Sequence, residues 1–127
     1  MNTQELQMAL RYVGRCVVLP IDKIKFTKTD GKPLGLVINT DRSDGPGEHW
    51  VAVFLDGKGC GEYFDSFGLP PLRKGIITFM NRNCPVMWSY NTTTVQEFDE
   101  TVCGNWCVNF LKAKFAGLKF DEFILRP

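Results

Sequence analysis

Three apolar segments that follow one another closely restrict the fold of this chain more than any other feature of the sequence. They are LGLVINT at 34–40, WVAVFLD at 50–56 and EYFD at 62–65, and each predicts a β-strand. The last two are separated by GKGCG, whose three glycines favour a hairpin turn. The polar segment 41–48, between the first two, predicts a surface loop.

Helical periodicity precedes these strands. Apolar residues recur at helical spacing over 3–13, Asn2 and Glu5 have the spacing of a capping box, and Gly14 suits the end of the helix. Two further elements are predicted: a helix over 71–82 that Pro71 opens, and a short strand over 85–90.

The last predicted element is a mostly buried helix, CGNWCVNFLKAKFAG, which begins near Cys103 and ends at Gly117. A helix packed on a sheet whose strands are in hairpin order predicts an α+β fold. Neither an internal repeat nor a Pro/Ser-rich linker divides the chain, so we expect residues 1–127 to form a single domain.

Charge and cysteine content limit the class of protein. Fifteen basic and fourteen acidic side chains leave a net charge of +1, which gives no overall attraction to nucleic acid. The sequence contains neither a long apolar run nor a signal peptide, so we expect an intracellular protein without a membrane-spanning segment. Five cysteines cannot all pair within one chain, and in a reducing compartment they are expected to be free thiols.

His49 is the only histidine of the chain, so any imidazole chemistry must use it. It lies where a glycine-containing loop leads into the strand that begins at Trp50. A single histidine is more often structural than catalytic. Its position alone therefore leaves both interpretations open.

Cys103 is the strongest candidate nucleophile. At the start of a helix, its thiol would face unpaired N–H groups and the positive end of the helix dipole, which favour the thiolate. Gly104 would let a substrate backbone come close. The alternative is a buried inert thiol, and Cys107, one turn later, fits that alternative well.

Two further polar residues fit a catalytic site. Asp65, at the end of a strand, could accept a hydrogen bond from an imidazole on the neighbouring strand, although it could equally be a turn residue. Gln96, seven residues before Cys103, could donate to a developing oxyanion. A glutamine in a loop has no functional meaning when taken alone.

Other chemistries have little support. Cys103 and Cys107 lack the C-x-x-C spacing of a zinc knuckle, and one histidine with scattered cysteines provides no second ligand pair, so no metal site is expected. Gly-rich phosphate loops and a G-x-S-x-G nucleophile motif are also missing from the sequence.

Taken in order, the segments GEHWVAVFLD, GEYFDSFGLPP and VQEFDETVCGNWCVNFL resemble the adenovirus-type cysteine proteases and their relatives in Polinton (Maverick) elements. The order His, acidic residue, Gln, Cys is shared with the proteases that process SUMO. Thr101-Val102 before the cysteine and the spacing from Gln96 to Cys103 resemble the viral branch, whereas an aspartate at Asp65 resembles the SUMO proteases.

The resemblance implies a papain-like α+β fold in permuted order, with a mixed or antiparallel sheet packed against the helix of the nucleophile. It implies that Cys103 attacks the scissile carbonyl, His49 transfers the proton, Asp65 orients His49 and Gln96 stabilises the oxyanion. Trp50 and Gly104 would line a narrow substrate groove that favours small residues such as Gly-Gly.

The resemblance also predicts partners. The main hypothesis is a monomeric viral or transposon-encoded endopeptidase that cleaves capsid or other structural precursors in the host cytoplasm, the nucleus or the virion. No cofactor is expected; a peptide activator linked at Cys84 or a DNA activator, as in the adenoviral enzyme, has no support in the sequence, and a buried thiol is favoured at Cys84. The alternatives are a protease that deconjugates ubiquitin-like proteins and a catalytically silent peptide-binding relative.

Overall fold

The computed structural model describes residues 1–40, 49–95, 103–119 and 122–123. Its elements follow in chain order: α1 (Thr3–Leu10), β1 (Cys16–Pro20), a 3-10 helix (Ile21–Phe26), β2 (Leu34–Asn39), β3 (Trp50–Leu55), β4 (Cys60–Phe64), α2 (Lys74–Asn83), β5 (Met87–Tyr90) and α3 (Cys103–Phe115). Within these ranges, no helix has the length and apolar character needed to cross a membrane.

The five strands form one mixed sheet in the order β1-β2-β3-β4-β5. The two inner pairings, β2 with β3 and β3 with β4, are antiparallel, and both outer pairings are parallel. The predicted strands and the hairpin are confirmed, as is the α+β class. The hairpin turn is shorter than GKGCG, because Cys60 and Gly61 already belong to β4.

The helix ends differ from the sequence prediction in two places. Helix α1 has the predicted capping box between Asn2 and Glu5, but it ends at Leu10 because the next turn tightens: Val13 N–H bonds to the carbonyl of Leu10, three residues back. Helix α2 begins at Lys74 rather than Pro71.

Helix α3 ends as predicted. Gly117 has a φ of +86° and Leu118 N–H bonds to the carbonyl of Ala113, which is the pattern of a Schellman ending.

Each face of the sheet has its own apolar core. One core joins α1 and α3 to the sheet and includes Leu6, Val37, Phe64, Phe110 and Leu111. The other joins α2 and the 3-10 helix to the opposite face and includes Ile24, Leu36, Ile38, Ile76 and Phe79. Burial on both faces explains why β2 and β3 are almost uniformly apolar rather than alternating.

The sheet topology brings distant residues to one end of the sheet. His49 directly precedes β3 and Asp65 directly follows β4. Because these strands are antiparallel neighbours, both residues lie at the same end of the sheet. Helix α3 packs across β3 and starts with Cys103. An ion pair of 2.9 Å between Lys114 Nζ and Glu62 Oε1 ties the far end of α3 to β4.

Candidate active site

His49, Asp65 and Cys103 meet at this end of the sheet. His49 Nε2 lies 3.0 Å from Asp65 Oδ1, and the side chains are 19% and 7% exposed. The Cys103 thiol is close enough to the same imidazole for each group to shift the pKa of the other. Since Nε2 faces the carboxylate, Nδ1 is the ring nitrogen left for the sulfur. The arrangement is that of a nucleophile, a base and a group that orients the base.

The electrostatics favour a charged pair. Burial opposes the imidazolium, but hydrogen bonds and charge from Asp65 and Cys103 outweigh it and raise the pKa of His49 from 6.5 to about 9. Burial likewise opposes the Cys103 thiolate, yet the hydrogen bond to His49 and the backbone N–H of Trp50 lower its pKa below the ordinary 9.0. The two shifts act in the same direction, towards the pair of thiolate and imidazolium.

The neighbouring cysteine has the opposite environment. Cys107 is fully buried one turn below Cys103, and burial raises the pKa of its thiol well above the usual value. Cys84, which the resemblance raised as a linking cysteine, is also buried, and its pKa rises to about 11. Both environments favour inert thiols.

Asp65 is held in place from several directions. Its Oδ1 accepts the backbone N–H of Phe67 at 2.9 Å. The side-chain amide of Asn91 bonds to the Asp65 backbone twice: Oδ1 accepts its N–H at 2.9 Å and Nδ2 donates to its carbonyl at 2.6 Å. Asn91 is itself buried.

The sequence analysis did not single out Asn91. Its only signal is an asparagine directly after the apolar strand β5, a position that also fits an ordinary turn residue.

The Phe67 ring stacks on His49, with ring centroids 5.0 Å apart and an angle of 23° between the planes. Behind the imidazole is a small cavity of about 170 Å³, which Tyr63, Asp65 and Ile76 also line. The ring is therefore confined on one face by an aromatic side chain and at Nε2 by a carboxylate.

The other predicted site residues differ in how far the structure describes them. Gln96 lies outside the described residues, so its role stays a prediction. Trp50 Nε1 donates to the Met1 carbonyl at 2.9 Å, and a methyl group on Gly104 would lie 3.2 Å from Met1 Cβ. Both residues thus border the N-terminal residue beside the nucleophile, and their contact with substrate also stays a prediction.

Within the described part of the chain, histidine, cysteine, aspartate and glutamate side chains do not come together in groups of three or more that could hold a metal ion.

Comparisons with known proteins place this geometry among cysteine proteases. A computed superposition on the crystal structure of the African swine fever virus pS273R protease has a TM-score of 0.60, with 30% identity, and covers 74% of this chain and 38% of the other. The SUMO protease Ulp1 also superposes with a TM-score of 0.60, over 98% of this chain and 72% of Ulp1, at 13% identity.

This chain has the Ulp1-type cysteine protease fold. The α+β expectation with a helix packed on a mixed sheet is therefore confirmed, and so is the likeness to the clan of SUMO proteases. The narrower likeness to adenoviral and Polinton proteases is not among these similarities.

Sequence relatives come from two large viruses. Cysteine protease S273R of African swine fever virus (isolate Tick/Malawi/Lil 20-1/1983) is 32% identical over 111 residues, which is 79% of this chain and 40% of the relative. Protein R355 of Acanthamoeba polyphaga mimivirus, named as a candidate thiol protease, is 29% identical over 121 residues, 88% of this chain and 40% of the relative. The chain thus spans about 40% of the length of these relatives. No family model matches the sequence.

Proposed function

We propose that this chain is a cysteine endopeptidase whose nucleophile is Cys103 and whose acid–base group is His49. The observation that carries the proposal is the convergence of Cys103, His49 and Asp65, with 3.0 Å between His49 Nε2 and Asp65 Oδ1 and an interaction between Cys103 and His49 that shifts the pKa of both. Three residues far apart in sequence meet in the order that activates a thiol.

The reaction proceeds through a thioester. The Cys103 thiolate attacks the scissile carbonyl carbon, and a C–S bond forms as the carbonyl electrons move to oxygen. As the C–N bond breaks, the His49 imidazolium gives its proton to the leaving amine. His49 then removes a proton from water, which attacks the thioester, releases the new carboxyl end and returns the sulfur as thiolate.

Asp65 acts throughout as the positioning group for His49. Its carboxylate accepts from Nε2–H of the imidazolium and keeps Nδ1 directed at the sulfur. Gln96 and the backbone N–H of Cys103 are proposed as donors to the oxyanion.

For the substrate, processing of ubiquitin-like proteins has more support than cleavage of capsid precursors. S273R of a further African swine fever virus isolate, 31% identical over 111 residues, bears the name SUMO-1 cysteine protease. Ulp1, whose fold covers nearly this whole chain, is a SUMO protease. We therefore propose cleavage after a Gly-Gly tail, which a narrow approach to Cys103 past Trp50 and Gly104 would favour.

Maturation of viral structural precursors is the second candidate. It has support in that the relatives above belong to African swine fever virus and mimivirus. For this candidate, we propose that the protein acts in the host cytoplasm, the nucleus or the virion. Both candidates use the same three residues, so they differ only in the polypeptide that is cleaved.

Labelling with an electrophilic peptide that ends in Gly-Gly tests the chemistry. We expect Cys103→Ala and His49→Ala to abolish labelling, while Cys107→Ala, one turn away on the same helix, labels like the native chain. Labelling of Cys103→Ala at the native rate would refute the assignment. A native chain that never labels, although folded, would favour the silent peptide-binding alternative.

A second experiment separates the two substrates. The native chain is incubated either with a SUMO precursor that carries residues after its Gly-Gly or with a viral capsid precursor, and the products are identified by mass spectrometry. Cleavage of the capsid precursor alone would reverse the order of preference given above.

A further inference from the structure

A groove on the face of the sheet opposite α3 has a concentration of positive charge. It lies between the 3-10 helix and α2 and has a volume of about 670 Å³. We call it the basic groove and define it by its five cations: Lys23, Lys25, Arg73, Lys74 and Arg82. Asp22 is the acidic residue among its lining residues.

These cations are not neutralised by the part of the chain that the structure describes. All five are exposed, and in that part no ion pair involves any of them. Two instead lie over aromatic rings, Lys25 Nζ at 5.3 Å from the centre of Phe26 and the Arg82 guanidinium at 5.9 Å from that of Phe79. The groove therefore has a surplus of positive charge beside apolar surface.

The charges are spread along the groove rather than gathered at one point. Arg73 caps the start of α2 and Arg82 lies in its last turn, so about 13 Å of helix separates them at 1.5 Å per residue. A single phosphate cannot reach both ends, whereas an extended chain with several carboxylates can. Phe26, which is 70% exposed at the rim, adds a surface for an apolar side chain.

An acidic peptide fits this surface better than a nucleic acid does. The chain has a net charge of only +1, which provides little of the long-range attraction on which backbone-dominated nucleic-acid binding depends. A mixed lining of cations and apolar side chains suits a polypeptide that alternates glutamate or aspartate with apolar residues.

The basic groove opens near the catalytic end of the sheet. Pro20, which precedes the 3-10 helix, pairs with Asn39, and Asn39 pairs with Trp50 at the start of β3. Arg73 lines both the basic groove and the small cavity behind His49. An occupant of the groove would therefore lie close to the candidate catalytic residues.

From this placement we propose that the basic groove binds an acidic segment of the polypeptide substrate. The proposal rests on the protease function above for the identity of its ligand. Binding itself depends only on the groove, so it can be measured separately from catalysis.

The first test measures binding without catalysis. A fluorescein-labelled, glutamate-rich peptide with a central phenylalanine is titrated with the full chain and followed by fluorescence anisotropy. We expect Lys23→Glu/Arg82→Glu, which reverses one charge on each wall, to weaken binding by at least about tenfold. The matched control, Arg11→Glu/Lys112→Glu, reverses two exposed cations on the other side of the sheet, one directly after α1 and one on α3, and should retain native affinity.

The second test uses turnover of a Gly-Gly substrate with and without an acidic extension. Reversal in the groove should raise KM about tenfold for the extended substrate, leave its kcat unchanged, and leave the unextended substrate unaffected. Circular dichroism confirms that both double variants are folded.

Three results would overturn the proposal: no binding of the acidic peptide to the native chain, equal weakening in the control variant, or tighter binding of a single-stranded oligonucleotide at the same residues. Failure of the protease function would give a different result: the chain would bind the acidic peptide but would never label with the Gly-Gly electrophile.

Discussion

Asn91 provides the sharpest test of how this site is held together. Its amide makes two hydrogen bonds to the Asp65 backbone, at 2.9 and 2.6 Å, and a third to the Thr93 carbonyl at 3.2 Å. Asn91→Ala removes all three and leaves the N–H and carbonyl of Asp65, a residue that is 5% exposed, without these partners. At about 1 kcal/mol for each of the three hydrogen bonds, the expected loss in free energy of unfolding is about 3 kcal/mol, and the Asp65 carbonyl still accepts the N–H of Gly68 at 2.8 Å.

Urea unfolding measures this loss, and Asn83→Ala is the matched control. Asn83 makes a single side-chain hydrogen bond, from Nδ2 to the Phe79 carbonyl at 2.8 Å, so its removal should cost about 1 kcal/mol. Equal losses in the two variants would refute the argument that Asn91 has a special structural role.

A chemical readout separates positioning from simple stability. If Asn91 fixes Asp65, its removal loosens the hydrogen bond to His49, so the pKa of His49 falls and that of Cys103 rises. The rate of Cys103 alkylation, followed by mass spectrometry across pH, should then reach half its maximum at a higher pH than in the native chain. An unchanged pH profile in a destabilised Asn91→Ala would mean that Asn91 supports the fold but not the site.

Three further predictions concern the candidate site and the sheet that supports it. His49→Ala should raise the pKa of Cys103, so its alkylation slows at least about tenfold at pH 7 and recovers only at higher pH; a profile like that of the native chain would contradict the pairing. In Cys103→Ala, His49 titrates without its thiol partner while Asp65 still acts to raise its pKa, so the free energy of unfolding should fall as the pH rises through the His49 pKa. Asp65→Asn in that background should flatten the fall, and a slope of the opposite sign in urea unfolding would refute the assignment. Gly61→Ala would place a methyl group 2.5 Å from Cys84 Sγ and should cost about 2 kcal/mol in urea unfolding, part of which Cys84→Ala restores; no recovery would locate the strain elsewhere.

Local sequence patterns predict most of the sheet and the end of helix α3 at Gly117. The hairpin from β3 to β4 is a contact between neighbours in sequence, so its glycine-rich turn and apolar flanks suffice to identify it. The strand β1 was not predicted, because CVVLP is only five residues long and its parallel partner β2 lies beyond the 3-10 helix. Parallel pairing over such a separation leaves no local signal.

The candidate site likewise contains residues that the sequence identifies and residues that it does not. His49 and Cys103 could be singled out because few residue types perform their chemistry and the chain has one histidine. The Asn91 side chain bonds to the backbone of Asp65, 26 residues earlier in the chain, and not to a side chain. No recognisable spacing of residue types therefore marks this contact in the sequence. The basic groove likewise has no local signal in the sequence, because it forms only where the 3-10 helix and α2 meet on one face of the sheet. The even charge balance of the whole chain also hides this local excess of positive charge.

The candidate site is divided between the sheet and helix α3. This division affects when Cys103 becomes reactive during synthesis of the chain. His49 and Asp65 come together when β3 and β4 pair, and Asn91 then fixes Asp65, but the sulfur arrives only with α3, which begins 38 residues after Asp65. Until α3 docks, through its apolar contacts and the Lys114–Glu62 ion pair, Cys103 lacks the imidazole that lowers its pKa and behaves as an ordinary thiol. A nascent or locally unfolded chain would thus carry a less reactive Cys103, and the alkylation rate of this one cysteine would report how often α3 separates from the sheet.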